Sequence, residues 1–269
     1  MSVTVGEICR RGTVKRQAVI GMVAAMPEEI RPLLGQMQQI RKETVEGYRL
    51  YRFETGGQHV CLVESGMGPT HAATATRILI DAVQPSLIVN FGFAGALVPD
   101  LQVGDIVLAN RLLLLHERLF SEQQGLSQAV TERIEAFLAR CKETVSHRTT
   151  FVTAGKIVTK KELALRLPAG AALSVIEMET SAVARIANRN GTPLVAVRAI
   201  SDGFNEELGF SLDEFCDRNL RLQIWRVILT VGKKPWIIPQ LLRLARNSKS
   251  AGRKLADVMQ RLLAEDILA

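Results

Sequence analysis

Ala18-Val-Ile-Gly-Met-Val-Ala24 is an unbroken apolar run with β-branched members, and Ala25-Met26-Pro27-Glu28-Glu29-Ile30 follows it at once. Such a run reads as a central strand. A proline just after it suits the first turn of a helix, where its missing N–H costs nothing. Glu28 and Glu29 suit the positive end of the same helix. The chain therefore opens its folded part with a strand that feeds a helix. A carboxylate pair lies just past the carboxyl end of the strand, the edge where open α/β sheets bind ligands.

The alternation continues. Tyr48–Phe53 and His59–Val63 read as a hairpin turning at Gly56-Gly57, and Glu64-Ser65-Gly66-Met67-Gly68-Pro69 leads into a helix of small residues from 71 to 83. Leu87–Asn90 reads as a buried strand, followed by Gly92-Phe93-Ala94-Gly95-Ala96. Val103-Gly104-Asp105-Ile106 reads as a turn into a further strand, residues 123–142 as a surface helix, and Thr149–Thr153 as a short strand. Val175-Ile-Glu-Met-Glu179 introduces a helix over 180–189, and residues 191–198 give a turn and a strand that Ile200-Ser201-Asp202-Gly203 ends. Ser211 with Glu214 makes a capping box for another helix. The prediction is one mixed α/β domain over residues 18–230, after an irregular lead over 1–17 and before a basic amphipathic helical extension over 231–269. A chain of 269 residues with 47% hydrophobic content can fill a single core of that kind.

Several classes fall away. Cys9, Cys61, Cys141 and Cys216 form no CxxC pair, and His59, His71, His116 and His147 are scattered, so no metal site is expected. The glycine-rich stretches match neither GxxxxGK[ST] nor GxGxxG, and no GxSxG elbow is present. The expectation is thus of no ATPase, no nicotinamide enzyme, no serine hydrolase and no cofactor. With no signal-like segment and no apolar stretch long enough to span a bilayer, a cytoplasmic location is expected.

Three acidic sites, Glu28/Glu29, Glu177/Glu179 and Asp202, each follow an apolar strand. One reading makes them helix caps and surface charges. The other has them converge on a pocket. Carboxylates suit cleavage of an N-glycosidic bond: one donates a proton to the leaving base, one orients and deprotonates water, and one grips ribose hydroxyls.

At these residues the chain resembles the nucleoside phosphorylases and nucleosidases of the purine/uridine phosphorylase type. Within them it is most similar to the methylthioadenosine/S-adenosylhomocysteine nucleosidases. The matching segments are Ala24-Ala-Met-Pro-Glu-Glu29, Ser65-Gly-Met-Gly68, Asn90-Phe-Gly-Phe-Ala-Gly95, Val103-Gly-Asp-Ile-Val107, Ile176-Glu-Met-Glu179 and Val197-Arg-Ala-Ile-Ser-Asp202. The resemblance implies a phosphorylase/hydrolase-like three-layer α/β/α fold around a mixed twisted sheet, and release of adenine from a small-molecule nucleoside. It implies that Asp202 protonates purine N7, that Ser201 holds Asp202, and that Glu179 bonds the ribose hydroxyls with Met178 against the sugar. Glu29 would activate water, ahead of Glu28. Gly92, Phe93, Val152, Val158, Glu177 and Arg198 complete the implied substrate site. The acids in the first loop favour water as nucleophile, while Arg198 leaves phosphate as the alternative co-substrate. A homodimer or higher homo-oligomer is also implied.

Phe93 stands where the family often has a small hydroxyl residue, and Leu112–Leu115 makes the following segment unusually apolar. Both suggest a greasier group at the ribose 5′ position. The net charge of +7 is uneven: from Arg218 to Ala256 there are ten basic residues and no acidic one. Two helical segments, about 240–246 and 251–263, are expected there. They either pack over the core or a partner subunit, or make peripheral contact with an anionic membrane through residues 233–264. No motif supports nucleic acid as a partner. A greasy pocket beside such a segment resembles the hopanoid-biosynthesis member of the family, which releases adenine from adenosylhopane. A nucleoside-binding sensor without catalysis is the reading from another class.

Overall fold

In the computed structural model, which describes residues 18–141, 144–156, 158–206 and 234–268, ten strands join in one mixed sheet. They are β1 (Val19–Ala24), β2 (Arg41–Val45), β3 (Tyr48–Thr55), β4 (Gln58–Glu64), β5 (Leu87–Ala96), β6 (Ile106–His116), β7 (Leu119–Gln123), β8 (Ser146–Ala154), β9 (Ser174–Glu177) and β10 (Leu194–Asp202). The helices among the described residues are α1 (Pro27–Leu34), α2 (Pro69–Val83), α3 (Gln128–Leu138), α4 (Lys160–Ala164), α5 (Thr180–Arg189) and α6 (Ile238–Ala264). The strand order is β10-β6-β8-β9-β5-β1-β4-β3-β2, with β7 on β6. Because β10 pairs with both β6 and β5, five strands close into a ring from which β1, β4, β3 and β2 continue as an open sheet.

Two-sided burial explains the continuous apolar runs. Ile20, Met22, Leu87, Val89, Phe91, Val195 and Val197 point to one core cluster, shared with α1, α3 and α6. Val23, Ile88, Ala94, Leu194, Ala196 and Ile200 point to the other, shared with α2 and α5. Side chains alternate across a strand, so a strand covered by helices on both faces has no polar side to show. The expected mixed sheet between helices is what the chain forms.

The elements differ from expectation in several places, and β2 and α4 were not expected at all. Residues 119–123 form β7, so the surface helix is confined to Gln128–Leu138. The buried strand expected over Leu87–Asn90 runs on to Ala96: Gly92 and Gly95 do not turn the chain but leave room beside it, as the site will show. Leu112, Leu113 and Leu115 are buried in the sheet's cores. The two expected C-terminal segments are one helix of 27 residues. The helix expected after Ser211 lies outside the described residues.

The second half of α6 is amphipathic in the usual 3.6-residue sense. Ala251, Leu255, Val258, Met259, Leu262 and Leu263 are buried against β5, β10 and α1, each large apolar side chain contributing about 1.5–3 kcal/mol by leaving water. The hairpin tip locks its far end. Gly56 has φ +57°, and a Cβ there would lie 2.4 Å from the Leu263 carbonyl. Among the described residues no helix is long and apolar enough to cross a membrane.

Candidate active site

Parallel register aligns the carboxyl ends of the central strands. Val23 pairs with Asn90, Ala24 with Glu64, and Arg198 on β10 with Gly92 on β5. Chain segments far apart in sequence thus deliver their acids to one sheet edge.

Glu29 is buried while Glu28 is exposed. Glu29 turns back over the start of α1 and accepts hydrogen bonds from the amides of Ala25 and Met26, both 2.8 Å, and from Phe93 at 2.9 Å. Gly92 is what admits it: a Cβ at that position would stand 2.5 Å from the Glu29 carboxylate. Loss of solvent pushes its pKa up, against the opposing pull of Arg198 and the three amides.

Behind it lies a polar hub. Arg198 is 1% exposed. Its guanidinium donates to the Asn90 carbonyl (3.0 Å), Asn90 Oδ1 (2.7 Å), Thr180 Oγ1 (2.9 Å) and Glu177 (2.9 Å). The same Glu177 oxygen accepts from the amides of Glu179 and Thr180 and from the Thr180 hydroxyl, capping α5. Its other oxygen accepts from the Thr153 hydroxyl, opposite it in the β8–β9 register. Glu177 and Arg198 satisfy each other, as a buried ion pair must.

Glu179, two residues on, faces the other way. One of its oxygens accepts from the Gly68 amide at 2.8 Å, the N-terminus of α2, where the helix dipole favours an anion. Desolvation first, then the negative charges of Glu177 and Glu29, push its pKa up to about 8, with Gly68 and Arg198 pulling it down. Met178 beside it is half-buried.

Asp202 ends β10 at a register shift opposite Gly95. Bulges of this kind re-aim a side chain beside a site. Ser201 Oγ donates to Asp202 Oδ1 at 2.8 Å, and the buried Lys160 forms an ion pair with Oδ2. A Cβ on Gly95 would come within 2.7 Å of Oδ2. The two glycines of the β5 motif therefore serve two different acids.

A cleft of about 1870 Å³ opens over this edge. Ser65, Gly66, Met67, Phe93, Ser201 and Asp202 line it near the acids, and it continues between α1 and α6 past Pro32, Leu241, Leu244 and Arg253. The Phe93 ring reaches the same crossing: a Cβ on Gly252 of α6 would lie 3.3 Å from it.

Glu29, Gly92, Phe93, Glu177, Glu179, Arg198, Ser201 and Asp202 thus come together, with Met178 adjoining. Val152 and Val158 belong to a separate apolar cluster with Leu97, Leu113, Leu163 and Ile176. Ile176 in turn touches the space over Gly95. Sequence reasoning did not single out Lys160, Thr153 or Thr180. Lys160 opens a Lys-Lys-Glu triplet that reads as a solvated helix start, and a buried hydroxyl leaves no pattern. Asn90 stood in a motif but carried no assigned role.

Residues 19–231 match the model of the phosphorylase superfamily. The 5′-methylthioadenosine/S-adenosylhomocysteine nucleosidase of Listeria monocytogenes is 30% identical over 215 residues, 73% of this chain and 91% of its own. The nucleosidase of the same description from Marinomonas is 32% identical over 215 residues, 74% and 91% of the two chains. Among solved structures, a putative methylthioadenosine nucleosidase from Weissella paramesenteroides superposes with a TM-score of 0.70 at 22% identity, covering 94% of this chain and 99% of that one. The futalosine hydrolase of Helicobacter pylori does so with 0.69 at 18%, covering 93% and 97%. These two similarities speak for the fold.

Proposed function

Because the chain belongs to the phosphorylase superfamily, we propose that it is a nucleosidase that cleaves the N-glycosidic bond of an adenine nucleoside of the methylthioadenosine/S-adenosylhomocysteine type, with water as nucleophile. Two relatives at 30% and 32% identity carry that description. The observation that carries the choice of water is Glu29, a buried carboxyl of raised pKa held by the amides of Ala25, Met26 and Phe93, three residues that line the cleft. A base of raised pKa takes a proton from water more readily near neutral pH. As the C1′–N9 bond breaks, electrons pass to the purine, and Asp202, entering the step as the protonated carboxyl, delivers its proton to N7 and becomes the carboxylate that Ser201 and Lys160 hold. The water oxygen bonds to C1′, and its proton passes to Glu29. Glu179 accepts the ribose hydroxyls, and Met178 packs on the sugar. Phosphate is less well served, because the Arg198 guanidinium already bonds Asn90, Thr180 and Glu177 inside the protein.

The test incubates the protein with adenosine, methylthioadenosine and S-adenosylhomocysteine, with and without phosphate, and follows adenine and sugar by chromatography. Free sugar without phosphate is expected. A sugar 1-phosphate formed only with phosphate would replace water by phosphate in the scheme.

A second reading concerns the 5′ group and has its own observation. The cleft exceeds the roughly 300–1,000 Å³ of common small-molecule pockets and runs to Leu241 and Leu244. Nearby, Trp236, Ile238 and Leu242 are 68%, 40% and 63% exposed, and the exposed Arg246, Lys249 and Arg253 continue the same helix face. That supports peripheral contact with an anionic membrane and a long apolar 5′ substituent, as on adenosylhopane. Co-sedimentation with phosphatidylserine vesicles but not phosphatidylcholine vesicles, lost in Trp236→Ser/Leu242→Ser, is the expected result. No sedimentation on either would remove the membrane from the reading. Association into a homodimer or higher oligomer is checked by light scattering.

A further inference from the structure

Lys160 is 8% exposed, and among the described residues the acceptors of its ammonium lie in one short segment. It pairs with the Asp202 carboxylate and donates to the carbonyls of Asp202 (3.4 Å), Gly203 (2.9 Å) and Glu206 (3.4 Å). A buried ammonium is costly unless fully partnered, and here its partners are the residues that carry and follow the proposed acid. The segment is closed on itself: Glu206 N donates to the Gly203 carbonyl (3.0 Å), and Gly203 N to Glu206 Oε2 (3.2 Å). Its outer end is tied to α6, where Asn247 donates to Glu206 at 3.2 Å and Arg243 pairs with it at 3.4 Å. Lysine is the residue type for this task. Three donors on a compact head suit carbonyls arranged around a point, where the flat guanidinium of arginine would not.

We propose that Lys160 is a positioning residue for the leaving-group acid: it anchors residues 202–206 by their carbonyls and so aims the Asp202 carboxyl into the cleft. The inference rests on the nucleosidase reading and assigns Lys160 no contact with the substrate. It acts through Asp202, so its loss harms only reactions in which the departing group needs a proton.

The experiment compares Lys160→Met, Lys160→Arg, Asp202→Asn and the Lys160→Met/Asp202→Asn double variant with the wild type. Two substrates are used: methylthioadenosine, and p-nitrophenyl 5-methylthioriboside, whose nitrophenolate leaves unprotonated. Lys160→Met should lower kcat on methylthioadenosine by tenfold or more and change the rate on the nitrophenyl riboside by less than threefold, with Lys160→Arg recovering part of the loss. The double variant should be no slower than Asp202→Asn, the non-additivity expected of residues that act as one unit. Equal losses on both substrates, or losses that multiply in the double variant, overturn the proposal. Hydrogen exchange gives a readout that needs no turnover. In Lys160→Met the amides of 203–206 should exchange at least tenfold faster while those of β1 and β5 keep their rates; unchanged exchange at 203–206 also overturns it. A wild type that releases adenine from none of adenosine, methylthioadenosine and S-adenosylhomocysteine refutes the methylthioadenosine/S-adenosylhomocysteine reading, and the exchange result then still decides whether Lys160 is the anchor.

Discussion

Gly92→Ala puts a methyl group where the Glu29 carboxylate now sits. The added carbon would lie 2.5 Å from Oε1 and 2.9 Å from Cδ, so the carboxylate must retreat by about 0.9 Å to reach ordinary contact at 3.4 Å. It cannot do so and keep its 2.9 Å bond from the Phe93 amide, because the same carboxylate is held on its other side by Ala25 and Met26. A hydrogen bond to a charged group contributes about 1.5–3 kcal/mol, and forcing an extra carbon into a filled site costs about 1–3 kcal/mol. Since the two costs share one displacement, a net loss of about 3 kcal/mol is expected. Misplacing a catalytic group by ~1 Å costs on the order of 100-fold in rate. Urea denaturation and adenine release measure the two. The decisive comparison is Gly92→Ala/Glu29→Ala. Removing the carboxylate vacates the space the methyl needs, so the double variant should be more stable than the sum of the single losses by at least ~1 kcal/mol. If Gly92→Ala folds and turns over like the wild type, or if the stability losses add, the close-approach account of this glycine is refuted.

Other outcomes follow from the same geometry. Arg198→Met should cost about 3–5 kcal/mol, because it leaves the buried Glu177 without its partner, and the urea midpoint will register it. The folded pKa of Glu179, about 8, lies above its ordinary 4.5. The folded protein therefore holds this proton more tightly, and the stability so gained is complete below about pH 4.5 and lost as pH rises through about 8. Glu179→Gln should remove that dependence, so the melting temperature of the variant should gain on the wild type as pH rises across this window, while activity falls. Leu255→Ala, under α6, should cost about 2–5 kcal/mol in urea denaturation and leave the KM for nucleoside near its wild-type value.

Much of the fold could be read from the chain because its central strands are covered on both faces. The unbroken run before Glu29 and the short one before Asn90 have no polar side, and only a sheet between helices consumes such segments. The glycines of the β5 motif were legible as a sign of close approach but not as to what approaches. Their partners, Glu29 and Asp202, stand more than 60 and 100 residues away in the chain. Spacing alone could not separate Glu28 from Glu29 either; the inward turn of one carboxylate depends on the Phe93 amide, which another strand supplies. Lys160 was hidden for a different reason. Its burial is created by carbonyls, and every residue has one. The leucines at 112–115 were legible as apolar but not as to their place, since apolar character marks a core as readily as a pocket.

The crossing of α1 and α6 at Gly252 bears on how this cleft could change over generations. A side chain at Gly252 would meet the Glu28 carbonyl at 3.0 Å and the Phe93 ring at 3.3 Å, so the spacing of the two helices that wall the outer cleft is set by a missing methyl group. Enlarging that residue would ease α6 outward and trimming Phe93 would let it settle inward, in both cases without replacing an acidic side chain. Because Asn247 and Arg243 on the same helix hold Glu206, the breadth of the cleft and the aim of Asp202 are linked, and a change at position 252 would reach both.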